Sequence, residues 1–345
     1  MILLRNRLVF GLSAALLSLG AAAGTAQAAC GDQTLGVSRT ITIDATGGKL
    51  YGGLQYDSGN LLRDGEVILT FDDGPLRRHT RRVLKALDSH CTKGTFFMVG
   101  RMAVADPAMV REVANAGHTI AHHTWSHKNL LRRNARRAGG EIELGISAVR
   151  IAAKAPTSPF FRFPYLGDPG SMIAYGKSRN LAIFSIDIDS YDYKTKSGAK
   201  VFSNIMRQLR SRRKGIMLFH DIQPSTASAM QRILDTMQRE GFKIVHVVSK
   251  TPVETLTDFD DQAQILHSKR RTVARAAAIK GGPFENARRS QRPRSKAKDD
   301  DTKVAAVKKQ KEATNPFSTD RTRALAQPRL RPPPEKDWRE SIWSN

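Results

Sequence analysis

The sequence predicts an α/β fold on a parallel sheet, running from about Val37 to Val248. Two observations predict it. Short apolar runs of strand length recur along the chain, and segments with apolar residues at helical spacing separate them. Repeated βα units argue a parallel sheet, open or closed into a barrel, and a span of about 200 residues can bury one sizeable core.

Taken in order, "GEVILTFDDGP" reads as a strand over 66–70 closed by a Gly-Pro turn. "RRVLKALDSH" places Val83, Leu84 and Leu87 on one helical face, and "GTFFMVG" is a buried strand between glycines. "DPAMVREVANAG" has Asp106 as N-cap, Pro107 at the first helical position and Gly117 past the end. "HTIAHHT" is a strand, and "AGGEIELGISAVRIAA" is a helix with Ile142, Ile146, Val149 and Ile151 roughly on one face. "FFRFPY", "LAIFSIDID" and "GIMLFHDI" read as three further strands, with a helix around "AKVFSNIMRQLRS" between the last two. "TASAMQRILDTMQREG" is a final amphipathic helix before the strand "KIVHVV".

The two ends have a different composition. Residues 1–28 read as a secretory signal peptide: Arg5 and Arg7, an apolar stretch, and Ala26-Gln27-Ala28 as the cleavage site. An uncleaved anchor is the alternative, and export to a periplasmic or extracellular space is the expectation. The mature chain keeps two cysteines, Cys30 and Cys91, which an oxidising compartment permits to pair. Two cysteines this far apart make a poor zinc motif, so any metal must use His and carboxylates.

Residues 29–61 read as an N-terminal extension, 62–255 as the main domain, and 256–345 as a basic, Pro-containing disordered tail. From Ser268 to Asn345 there are 21 Lys and Arg against 9 Asp and Glu, with sparse apolar residues and no period. The formal charge of the whole chain is +24. For an exported protein that balance suits an anionic envelope polymer or membrane surface through the tail, rather than a specific nucleic acid. A solubilising extension without a partner is the equally weighted alternative.

The chemistry gathers where strands run out. "AHHTWSHKNL" packs His122, His123 and His127, three of nine histidines, into six positions. In one helical turn or a tight loop, His123 and His127 face the same way and can share a metal, while His122 points elsewhere. Two imidazoles leave an ion short of ligands, and "TFDDGP" offers Asp72 and Asp73, one to bind and one to stay free as a base. Arg162 with Tyr165 in "FRFPYLGD", His220 in "LFHDI", and Asp187, Asp189 and Asp192 in "IDIDSYDY" lie at further strand ends, where α/β folds place their sites. Each alone has a structural alternative: an Asx-turn or N-cap, core histidines, a surface arginine, a solvated loop.

The set "TFDDGP", "HTWSH", "RFPY", "DSYDY" and "LFH", in this order, resembles the five motifs of the polysaccharide deacetylases, the NodB-homology domain of carbohydrate esterase family 4. The resemblance covers roughly residues 62–250. Two positions depart from it: Lys128 follows His127 where the family often has Pro, and Tyr193 stands where Trp is usual.

The resemblance implies a distorted (β/α) barrel. It implies that Asp73, His123 and His127 bind a divalent ion, usually Zn2+, with Asp72 as base and Arg162 holding Asp72 ionised. It further implies that the Tyr165 N–H faces the oxyanion, that Asp192 pairs with His220 as general acid, and that Leu218 lines the acetate methyl pocket. The implied activity is removal of N-acetyl groups from N-acetylglucosamine in peptidoglycan or chitin-like oligomers, by metal-activated water. O-acetyl xylan esterase chemistry on the same fold and an inactive carbohydrate-binding relative are the alternatives.

Overall fold

The structure, a computed structural model, describes residues 30, 31 and 34–280. In chain order its elements are β1 (Arg39–Ile43), β2 (Leu50–Tyr51), β3 (Glu66–Asp72), α1 (Arg77–Ser89), β4 (Thr95–Met98), α2 (Gly100–Ala105), α3 (Pro107–Asn115) and β5 (Thr119–His122). Then follow α4 (Ala135–Ala153), β6 (Phe160–Phe161), α5 (Gly170–Ser178), β7 (Ala182–Phe184), β8 (Ile188–Asp189) and α6 (Gly198–Arg212). The last are β9 (Gly215–His220), α7 (Pro224–Arg239), β10 (Lys243–Ser249) and α8 (Thr257–Lys280).

β3 organises the sheet. It pairs with β9 along Val67–Asp72, with β4 at its C-terminal half and with β10 at its start, always in parallel. From β4 the ladder continues through β5 and β6 to β7, and from β9 it continues to β8. Because β8 follows β7 after three residues, the sheet returns on itself as a distorted barrel, with helices outside.

The pleat gives β3 two faces. Val67, Leu69 and Phe71 point outward into the main core, against Val83 and Leu87 of α1 and Met230 and Ile233 of α7. Ile68 points inward among Phe97, Ala121, Phe160, Phe184 and Ile216. Each such side chain contributes roughly 1.5–3 kcal/mol through burial. Further along the inward face come Thr70 and then Asp72, so the barrel interior turns from apolar to polar towards the C-terminal strand ends.

Four expectations need correction. "FFRFPY" supplies only the two residues of β6 to the sheet, because the chain turns at Pro164. "LAIFSIDID" is two strands, since the carbonyls of Phe184 and Ser185 accept hydrogen bonds from the Arg162 guanidinium across the barrel. The extension 29–61 is part of the sheet: β1 pairs with β10 and β2 with β7. Cys30 is disulfide-bonded to Cys91 just past α1, with Cα atoms 5.8 Å apart, so the permitted bridge forms.

The fourth correction concerns the tail, which was expected to be irregular from residue 256. Its first part is α8, docked on α4. Ala263 is fully buried, the His267 ring bonds to the Ala148 carbonyl at 3.0 Å, and Arg150 pairs with Asp260 at 2.9 Å. Residues 281–345, and residues 1–28 with the expected signal peptide, lie outside the described residues. Among the described residues no helix is long and apolar enough to cross a membrane.

Removing α8 uncovers part of α4. A chain ending at Leu256 should therefore be less stable than one ending at Lys280, by roughly 1–3 kcal/mol in denaturant unfolding. Equal midpoints for the two would show that the helix is carried without contributing.

Candidate active site

The site occupies the polar end of the barrel. Asp72 is the last residue of β3, and Asp73 leaves the strand with φ 75°, a left-handed conformation that costs a non-glycine residue about 1 kcal/mol or more. The Asp73 N–H donates to the Phe97 carbonyl at 3.2 Å, which holds the turn to β4. Gly74 follows because its Cβ position is filled by the Asp221 carboxylate.

His123 continues directly from β5, and its N–H donates to the Met98 carbonyl at 3.0 Å. The segment to His127 is a tight loop rather than a helical turn, with Thr124 and His127 both left-handed at φ 64° and 57°. The His127 N–H donates to Thr124 Oγ1 at 3.1 Å, closing the loop. Behind it α4 presents Gly145, where any side chain would collide with the Thr124 backbone. His123 and His127 consequently meet with ring centroids 4.9 Å apart.

Asp73 faces both rings. Its Oδ1 lies 3.1 Å from His127 Nε2 and 3.6 Å from His123 Nε2. One ligand atom from each of the three residues falls within 4.8 Å of the others, a group that could hold a metal ion. The tautomer suits that use. His123 Nδ1 lies 2.7 Å from the Arg162 carbonyl, which can only accept, so Nδ1 carries the proton and the Nε2 lone pair faces Asp73. Two imidazoles and a carboxylate, nearly dry, are a donor set for a divalent transition ion.

Asp72, buried beside this group, is wired differently. Arg162 Nη1 donates to Asp72 Oδ1 at 2.7 Å and to Thr70 Oγ1 at 2.8 Å. The other guanidinium nitrogens reach the Phe184 and Ser185 carbonyls at 3.2 and 3.0 Å, and the group lies 4.3 Å over the Phe97 ring. Asp72 Oδ2 remains on the side of His123, 3.8 Å from its Nε2.

A second dyad stands on the neighbouring strand, where His220 is in register with Asp72. Asp192 Oδ1 accepts from His220 Nδ1 at 2.7 Å, while Oδ2 accepts from the His220 backbone N–H and from Thr226 Oγ1. Burial alone would lower the His220 pKa. The charge and hydrogen bond of Asp192, with Asp73 and Asp72 nearby, reverse that and raise it to about 9. These surroundings favour the protonated imidazolium. The Tyr193 ring meets it edge-on at 5.6 Å and sends its hydroxyl to Asp189 at 3.0 Å.

The structure also brings Tyr165 and Leu218 to this end. Tyr165 adopts φ 60° after Pro164 and packs edge-on against His127, centroids 4.7 Å apart. Leu218 is two residues before His220 on the same face of β9, nearly buried. His122 turns away to Thr157, 3.2 Å from its Oγ1, and burial pushes its pKa down to about 3. Asp187 and Asp189 do not join the reacting cluster. Asp187 accepts from the backbone N–H groups of Gly53 and Ile216, and Asp189 from Tyr191 N–H and Tyr193 Oη–H.

Sequence reasoning missed Asp221. It is fully buried next to Gly74, accepts from Thr80 Oγ1, and burial raises it to about 7 against that hydrogen bond. Its adjacency to His220 was the one available signal. Thr70 and Thr226, which complete the two dyads, carried none.

A parallel barrel with carboxylates and imidazoles converging on its C-terminal rim defines a hydrolase-type α/β site. Residues 60–183 match the family described as polysaccharide deacetylase. A peptidoglycan-N-acetylglucosamine deacetylase of Bacillus cereus is 30% identical over 189 residues, 53% of this chain and 67% of that one. A chitooligosaccharide deacetylase of Bradyrhizobium is 27% identical over 200 residues, 54% and 90% of the two chains. Among solved structures, a peptidoglycan deacetylase of Bdellovibrio bacteriovorus superposes with a TM-score of 0.56 at 29% identity, over 62% of this chain and 59% of that one. The chain belongs to the polysaccharide deacetylase family.

The raised His220 pKa has a stability consequence with a definite sign. The imidazolium contributes stability that is fully present below its ordinary value of 6.5 and is lost as pH rises through about 9. Asp192→Asn should therefore be destabilised most near pH 6, with the gap to the parent narrowing by about pH 10 in denaturant titrations. A gap independent of pH would mean that the dyad is not an ion pair.

Proposed function

We propose that this protein is a divalent-metal-dependent deacetylase that removes N-acetyl groups from N-acetylglucosamine-containing glycans of the peptidoglycan or chitooligosaccharide type. One observation carries the reading: a carboxylate–imidazole–imidazole group is accompanied by two aspartates with opposite wiring. Asp72 is held by a guanidinium, and Asp192 is held by an imidazolium.

Asp73, His123 and His127 are the residues that would hold the ion, and zinc suits two imidazoles with one carboxylate. Bound there, a divalent ion supplies polarisation of the acetyl carbonyl and lowers the pKa of water from 15.7 towards about 7. The other roles belong to the chain. Asp72, kept in place by Arg162, takes the proton of the attacking water through the oxygen that Arg162 leaves open. The Tyr165 N–H, aimed by the left-handed turn after Pro164, stabilises the developing oxyanion. His220 gives its proton to the leaving nitrogen, and Leu218 lines the space for the acetyl methyl.

The charge state of His220 favours amide over ester substrates. An amine leaves only once protonated, whereas an alkoxide of lower basicity needs less help, so a histidine raised to about 9 is suited to N-deacetylation. The same residues argue against an inactive relative, since every reactive group is in place. Export to a periplasmic or extracellular site through residues 1–28 belongs to this reading, and so does contact of the basic segment beyond residue 280 with an anionic envelope surface.

Asp72→Asn should still bind one equivalent of zinc by elemental analysis while kcat on a chitooligosaccharide falls by about 10²- to 10⁴-fold. His127→Ala should lose metal and activity together, and a chelator should abolish acetate release by the parent reversibly. Full zinc retention by His127→Ala, or unimpaired turnover by Asp72→Asn, would overturn the assignment of roles.

A further inference from the structure

We infer that a basic cleft beside His220 binds a carboxylate-bearing sugar next to the one undergoing deacetylation, so that the preferred glycan is acidic. The inference rests on the deacetylase reading and narrows its substrate class. The cleft, about 520 Å³, is lined by Tyr191, Lys194, Thr195, Lys200, Ser203 and Asn204, none of which the reaction uses.

Its position follows from ring contacts. The Tyr193 ring touches His220, and the Tyr191 ring lies 6.3 Å from that of Tyr193. The Lys194 ammonium lies 4.6 Å above Tyr191 and 5.4 Å from Tyr193. A sugar linked to the one at His220 therefore reaches both tyrosines and the ammonium.

The cleft is also built rather than incidental. Tyr191 is held at φ 53°, and its N–H donates to Asp189 Oδ1 at 2.8 Å while Tyr193 Oη–H donates to Oδ2 at 3.0 Å. Asp189 thus fixes the Tyr191 backbone and the Tyr193 ring, and Asn204 Nδ2 donates to the Ser190 carbonyl at 3.2 Å. An aromatic ring with fixed orientation suits the apolar face of a pyranose.

Charge selects the kind of pyranose. Two cations, Lys194 and Lys200, line the cleft, while the nearest acids are committed: Asp189 to Tyr191 N–H and Tyr193 Oη–H, and Asp192 to His220. No carboxylate is among the residues lining the cleft, so its wall presents the two ammonium groups to a ligand. A neutral oligosaccharide would leave that field unused; a carboxylate on the neighbouring sugar, whether a ring-linked lactyl group or the end of an attached peptide, would meet it.

The test compares the full-length protein with its Lys194→Gln/Lys200→Gln variant on four probes. These are a neutral N-acetylglucosamine tetramer, a peptide-free tetramer alternating N-acetylglucosamine with N-acetylmuramic acid, the same fragment with its carboxyls amidated, and the peptide-bearing fragment. The variant should lose about 10-fold or more in kcat/KM on an acidic fragment, through KM, and nothing on the neutral or amidated ones. The loss should shrink at 1 M salt, where the Debye length is about 3 Å. The two acidic fragments identify which carboxylate is read. Equal losses on acidic and neutral probes, or no loss on either acidic one, would overturn the inference. Calorimetric binding of the same probes separates the two readings. Tighter, lysine-dependent binding of an acidic fragment without acetate release would uphold the cleft and sink the deacetylase assignment, and acetate release without such binding would do the reverse.

Discussion

The guanidinium of Arg162 lies inside the barrel with no exposed surface, and the rest of the site depends on how that charge is satisfied. An unpaired buried cation would cost several kcal/mol. Burial lowers the Arg162 pKa from its ordinary value, and Asp72 opposes that by charge and hydrogen bond. Four acceptors converge on it: Asp72, Thr70, and the carbonyls of Phe184 and Ser185. Those two carbonyls turn inward at the point where one apolar run splits into β7 and β8, so the irregular closure of the barrel is tied to the charge it encloses. The Arg162 backbone carbonyl meanwhile fixes the His123 tautomer. One residue thus joins barrel closure, the candidate base and a candidate ligand.

Around that centre the site separates two aspartates by their surroundings. Asp72 has a permanent cation as partner and keeps one oxygen open towards His123; Asp192 has both oxygens committed, to His220 and Thr226. The first suits accepting a proton, the second suits keeping a neighbouring histidine charged. Asp73, left-handed between Asp72 and Gly74, faces the two imidazoles. Three carboxylates of one residue type therefore acquire three different settings from backbone conformation and partners.

Much of this was legible in the sequence. Helical spacing and end signals placed α1, α3, α4, α6 and α7, and β3 and β9, buried on both faces, showed as continuous apolar runs. The five motifs contain the candidate site residues, which the structure brings together at the C-terminal ends of the strands and in the loops that follow them. Pairings made by very short or polar segments were not legible. β1 and β2 join the sheet through backbone hydrogen bonds that any sequence can make, and α8 docks through the small Ala263 and polar His267 and Asp260, which read as tail composition. The His123–His127 geometry depended on left-handed Thr124 and on Gly145 of a distant helix. Asp221 looked like an ordinary residue after His220, and only its burial against Gly74 and Thr80 sets it apart.

The central claim is that Arg162 and Asp72 act as one buried unit, and a double-mutant cycle measures it most directly. Arg162→Met alone strands a buried carboxylate and should lower unfolding free energy by roughly 3–5 kcal/mol in denaturant titrations. Adding Asp72→Asn should restore a large part of that loss, because no unpaired charge remains. Strictly additive losses in the double variant would contradict the claim and return Arg162 to an ordinary packing residue.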